Sequence, residues 1–233
     1  REFSIHRGVA QGSLSPTIFA VYINSLIKEI NASGIGIDLQ DGKQPVGILA
    51  YADDIVLLAE DNKALQEMAN ITHKWCKKWG MKANIKKCGI LAIQNKEKPT
   101  LEWGDSSFPI VDSYKYLGVT FEPNMKFDKH TKKIHDAAKG KLKKLAHVLG
   151  STYIGPDLKK RIYEENVRSK MEYGSIAWGE LKSAKKLGGI QKQSIQTIMN
   201  IDGVWAKAAE GELGMLSLEE RRQLTMMKYF FKV

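Results

Sequence analysis

Apolar residues recur at helical spacing directly after Ser15-Pro16. Phe19, Tyr22, Ile23, Leu26, Ile27 and Ile30 share one face, the stripe of a helix laid against a sheet. Ser15 suits the cap and Pro16 the first helical position. Gly34, Gly36 and Asp41-Gly42 then break the pattern, and Asp41-Gly42 predicts a tight turn. From Gly47 to Glu60 the chain reads as two short apolar runs flanking Asp53 and Asp54. Each run is too short for a helix, so a β-hairpin with both acids at its tip is predicted.

The helical period returns with Leu65, Met68, Ala69, Thr72, Trp75, Cys76 and Trp79, all expected to face inward. Asp61 is the expected cap and Gly80 the stop. Met81 to Ala92 reads as a further strand. Leu101-Glu102-Trp103 and Phe108-Pro109-Ile110 flank a Gly-Asp-Ser-Ser turn, and Tyr114 to Phe121 alternates as a strand does. Beyond Pro123 to Asp128 the pattern is helical. One apolar face uses Ile134, Ala137, Ala138, Leu142, Leu145, Ala146 and Leu149. A second helix follows Gly155-Pro156-Asp157 with Leu158, Ile162, Tyr163 and Val167 inward. A third uses Leu187, Ile190, Ile195, Ile198 and Met199. The last opens at Ser217 with Glu220 three residues on, a capping box.

Charge divides the chain. Residues 1–128 hold 15 Lys/Arg against 15 Asp/Glu, and residues 129–233 hold 21 against 11, so the second half carries the whole net charge of +10. A neutral half bearing a site and a basic half facing a polyanion is the reading this asymmetry favours, with solvated helix faces as the plain alternative. Lys132, Lys133, Lys139, Lys143 and Lys144 lie off the apolar face of their helix and are the candidate phosphate contacts. No apolar run approaches membrane-spanning length, so no membrane partner is expected. Two cysteines make no disulfide scaffold and fit an intracellular chain. With His73, Cys76 and Cys88 lack a fourth zinc ligand at suitable spacing.

Asp53 and Asp54 are the candidate chemistry. Two unpaired acids among apolar residues are costly unless a cation offsets them, and a turn can present both to a hard metal ion. An ordinary Asp-rich turn is the competing reading.

Four segments in order give the pair a context: Gln11-Gly12-Ser13 with Ser15-Pro16, Tyr51-Ala52-Asp53-Asp54, Trp75 to Cys88, and Tyr114-Lys115-Tyr116-Leu117-Gly118-Val119. Together with Leu213 to Leu218 they resemble the reverse transcriptase of non-LTR retrotransposons, from the middle of the palm into the thumb. The resemblance implies an α+β fold: a partial palm of antiparallel sheet and packed helices over residues 1–125, then a basic, mainly helical thumb-like region over 126–233. It implies Asp53 as a metal ligand with Asp54 assisting. Gln11, Gly12 and Ser13 would lie on the nucleotide and template side, Asn84 and Lys87 would support the catalytic strands, and Tyr116, Leu117 and Gly118 would grip the primer. The implied cofactor is magnesium or manganese. The implied partners are an RNA template with a DNA primer, or their hybrid, and deoxynucleoside triphosphates.

Two departures accompany the resemblance. The strand bearing the family's first metal-binding aspartate, and the fingers, belong ahead of Arg7. The motif is also one residue short between Gly12 and Ser15, with Ala10 where proline is common. Two ions are therefore expected only if an upstream aspartate or a protein partner completes the site, and residues 1–233 alone are expected to be inactive. The start, with no initiator methionine or signal core, reads as a cut from a longer polypeptide. The alternative function is a non-catalytic, retroelement-derived nucleic-acid-binding or structural subunit. A reverse transcriptase of the self-splicing-intron class is a further alternative.

Overall fold

A computed structural model describes residues 15–94 and 99–232. The chain divides into two compact units between Asp112 and Ser113.

In the first unit, α1 (Ser15–Ala32) buries Ile23, Leu26 and Ile30 along the predicted stripe. A single antiparallel bridge, Ile37 to Val46, closes the loop around Asp41-Gly42, where Gly42 takes φ +74°. Next come β1 (Ile48–Tyr51) and β2 (Asp54–Leu57), the predicted hairpin. Helix α2 (Asn62–Trp79) starts and stops where the sequence signals it. The Asp61 side chain accepts the Ala64 N–H, and Gly80 ends the helix at φ +66°. The two helices meet through aromatic rings. Tyr22 stands edge-on to Trp75 and Trp79 at 5.4 and 4.9 Å, and the Trp75 indole N–H donates to the Ser25 hydroxyl at 2.8 Å. Trp75 is buried. Trp79, expected inward, meets Tyr22 on the last turn of α2 and is 43% exposed.

The expected strand over Met81 to Ala92 does not form. Ile85–Lys87 is a single 3-10 turn, and only Ile90 makes a ladder contact, a parallel bridge to Ile110. The reversal is tighter than the predicted Gly-Asp-Ser-Ser turn: Gly104-Asp105 alone joins β3 (Glu102–Trp103) to β4 (Ser106–Ser107), and both serines stand in the strand. Among the described residues the strands form three separate antiparallel pairs, not one continuous sheet. Runs of two to four residues, separated by glycine turns and polar breaks, are too short to extend a ladder.

The second unit opens with β5 (Tyr114–Tyr116) and β6 (Val119–Phe121). The ribbon therefore packs with the helices, ahead of the 125/126 boundary that the resemblance implies. Val119 joins the helical core, and Phe121 meets the buried Phe127 edge-on at 5.3 Å. The helices are α3 (Asp128–Leu149), α4 (Pro156–Tyr163), α5 (Ser169–Glu172), α6 (Ser175–Trp178), α7 (Gly188–Met199), α8 (Ala206–Glu212) and α9 (Leu218–Phe230). Buried Glu122 receives the Lys129 N–H at 2.8 Å, satisfying a donor at the start of α3. A π-turn, Glu164–Arg168, continues α4 into α5 and puts Val167 and Met171 in the core. The Ser217–Glu220 capping box opens α9 as predicted.

Two helical phases depart from the expected faces. Ala137 and Ala146 of α3 are exposed, while His130 and Thr131 are buried. On α4, Leu158 is exposed and Lys159 is buried, its ammonium donating to the Ile198 carbonyl at 3.1 Å. A lysine whose stem packs and whose head caps a helix-end carbonyl is satisfied where a leucine would leave that carbonyl bare. Among the described residues no helix is long and apolar enough to cross a membrane.

Candidate functional site

The β1–β2 hairpin grows out of the first unit's core. Ile48 is buried and pairs with half-buried Leu57 at the base. Leu49↔Val56, Ala50↔Ile55 and Tyr51↔Asp54 follow toward the tip. The base is held tightly. The Leu58 N–H donates to the Gly47 carbonyl at 2.8 Å, and a Cβ on Gly47 would lie 2.2 Å from the Ile35 carbonyl oxygen. Only glycine fits there.

Burial falls away along the ribbon, so Tyr51, Ala52, Asp53 and Asp54 all stand in solvent. Asp53 occupies the two-residue turn with Ala52, and Asp54 is the first residue of β2. Ala52 adopts φ +52°, a region where a Cβ costs roughly 1–2 kcal/mol. Strain of this kind persists where the surrounding structure over-determines the backbone.

The apolar setting suggested that the acids need a partner to offset desolvation. The structure answers differently: both remain hydrated at the tip, and the cost does not arise. Neither has an ion-pair partner among the described residues, so their oxygens are available to a cation. Hard, anionic oxygen donors suit magnesium or manganese. Two adjacent carboxylates form one side of such a site. Among the described residues no third Asp, Glu, His or Cys joins them.

The other candidate residues separate by unit. Gln11, Gly12 and Ser13 lie outside the described residues. Asn84 and Lys87 are exposed on the 3-10 turn that replaces the expected strand, where the Asn84 carbonyl accepts the Lys87 N–H at 2.9 Å. His73 stacks on Trp103 at 4.9 Å beside a shallow pocket reached by Cys76, and Cys76 and Cys88 are free thiols pushed up in pKa by burial. No zinc-like cluster forms among the described residues.

In the second unit, Tyr116 and Val119 close a two-residue turn, Leu117-Gly118, with φ +44° and +84°. Two positive φ angles match the twist of the flanking strands. Buried Thr120 donates its N–H to His130 Nδ1 at 3.2 Å, tying β6 to α3. That bond makes Nδ1 an acceptor and leaves the ring proton on Nε2. His130 meets the buried Trp178 edge-on at 5.3 Å, and Arg222 lies over that indole at 5.3 Å. This column was not foreseen. No local motif announces it, since its members come from residues 120, 130, 178 and 222.

Lys132, Lys133, Lys139, Lys143 and Lys144 are all exposed on α3, opposite the buried Ala138, Leu142 and Leu149. Of the basic residues at the start of α4, Lys159 turns inward and Lys160 donates to the Leu213 carbonyl, while Arg161 stays exposed.

The family described as "Reverse transcriptase (RNA-dependent DNA polymerase)" matches residues 1–121. The RNA-directed DNA polymerase from mobile element jockey of Drosophila melanogaster is 23% identical over 97% of this chain and 25% of its own length. Its counterpart from Drosophila funebris is 28% identical over 75% of this chain and 20% of its own length. The Pol polyprotein of the type-2 retrotransposable element R2DM, from Drosophila melanogaster, is 35% identical over 52% of this chain and 12% of its own length. The chain thus spans a quarter or less of these curated relatives. No solved structure matches it significantly.

Proposed function

The chain belongs to the reverse transcriptase family, and from that premise we propose that it is the palm-to-thumb part of a non-LTR retrotransposon RNA-directed DNA polymerase. One observation carries the reading: two hydrated, adjacent carboxylates at the tip of a rigidly based hairpin, inside the family-matched region.

In this reading Asp53 is the principal metal ligand and Asp54 assists it. A bound magnesium or manganese ion supplies Lewis-acid stabilisation of the attacking and departing oxygens of nucleotidyl transfer. The chain's own residues position the reactants. The buried base of the hairpin fixes where the two carboxylates stand. Tyr116, Leu117 and Gly118 present a turn to the primer end, Gln11 to Ser13 border the nucleotide and template, and Asn84 and Lys87 support the strands. The exposed lysines of α3 hold the RNA–DNA hybrid by its phosphates, which gives affinity with little sequence preference.

Primer extension by the complete polypeptide carrying residues 1–233 tests this. Asp53→Asn is expected to abolish metal-dependent extension while leaving the fold intact, because the side chain is exposed. Extension at a near-normal rate would sink the assignment. The α3 lysines sustain a second reading, a nucleic-acid-binding or structural subunit without catalysis. That reading predicts salt-sensitive hybrid binding and no extension by the unsubstituted protein.

A further inference from the structure

We infer that Tyr173 is a positioning residue for the Leu117–Gly118 turn, a role that rests on the primer-side assignment above. The turn lies in solvent, with Leu117 37% exposed. Its backbone is nevertheless held from outside the ribbon. The Tyr173 hydroxyl donates to the Leu117 carbonyl at 3.0 Å. Gly118 lies against the same ring, where a Cβ would come within 2.7 Å of Tyr173 Cε1.

The next residue continues the clasp. Gly174, at φ +64°, brings its backbone so close to β6 that a Cβ would stand 2.8 Å from Val119 Cγ2. The Tyr173 carbonyl is fixed in turn by the Trp178 indole N–H at 3.2 Å. Trp178 is buried and abuts His130, which holds Thr120 of β6. Strand, histidine, indole, tyrosine and turn form a closed circuit.

A core-filling role does not account for the tyrosine. Its side chain is 58% exposed, and its hydroxyl serves a carbonyl at the surface, where water could replace it. The bond therefore adds little to stability but fixes the direction of an exposed turn. That is the expected signature of orientation: an interaction whose loss alters how a ligand is seated more than whether the protein folds.

Primer extension with Tyr173→Phe in the complete polypeptide, titrating the primer–template, reads this directly. The Phe ring keeps the contact with Gly118 and removes only the hydroxyl. The expected result is a rise in KM for primer–template of about threefold to tenfold, the range of one modest hydrogen bond, with kcat changed less than about twofold and the melting midpoint unmoved. An unchanged KM, or a loss that follows a lowered melting midpoint, overturns the inference. Asp53→Asn run alongside separates the two levels. An unsubstituted protein that extends primers with Tyr173→Phe equal to it defeats the positioning role alone. No extension above the Asp53→Asn background defeats the polymerase reading and this inference with it.

Discussion

Tyr51 and Asp54 face each other as the last pair of the β1–β2 ladder, so the turn that carries Asp53 has only two residues in which to reverse the chain. Ala52 takes the resulting positive φ. Ala52→Gly is expected to stabilise the chain by about 0.5 kcal/mol, the left-handed strain relieved less the extra freedom glycine gives the unfolded state. Thermal melting checks it; a lowered midpoint would show that the Ala52 methyl contributes contacts outweighing its strain.

The α3 lysines predict a salt signature. In an RNA–DNA hybrid titration, replacing Lys132, Lys139 and Lys143 together with glutamine should weaken binding across sequences. It should also reduce the steepness of log affinity against log salt by about two to three, near one per lost phosphate contact. An unaltered slope would mean that this face does not meet the backbone.

Lys159 gives the opposite expectation from a residue of the same type. Lys159→Ala should leave hybrid affinity unaltered and cost about 1–3 kcal/mol of stability, since it strips the buried Ile198 carbonyl of its donor. Chemical denaturation with parallel binding curves distinguishes the two outcomes.

Much of this was legible in the sequence wherever the signal is local. Asp61 and Gly80 bracket α2, and Ser217 with Glu220 opens α9, because each cap is made within three or four residues. The hairpin around Asp53 and Asp54 follows from two short apolar runs and a polar tip. What escaped depends on distant partners. Nothing local marks Lys159 or Tyr173: the acceptor of Lys159 is 39 residues away, and Leu117 lies 56 residues before Tyr173. The strand expected over residues 81–92 failed for a related reason: alternation marks residues that can join a ladder, while joining needs a partner of matching length.

His130 predicts a pH dependence. Burial, with a smaller push from the Lys133 charge, holds its imidazole below the ordinary value. The unfolded chain therefore binds that proton more readily than the folded one. Stability from this residue is complete above about pH 6.5 and is lost as pH falls through the lower, folded value. Urea midpoints should decline from pH 7 toward pH 5, and His130→Gln, which can still accept the Thr120 N–H, should flatten that decline. An equally steep decline in the variant would assign it to other groups.

The edge-on contact between His130 and Trp178 also makes the second unit a spectroscopic instrument. A charged imidazole quenches the emission of an indole held against it far more than a neutral one does. Protonation at the base of the Tyr173 clasp should therefore dim Trp178 before the helices come apart, giving an optical signal that tracks the state of the ribbon separately from global unfolding.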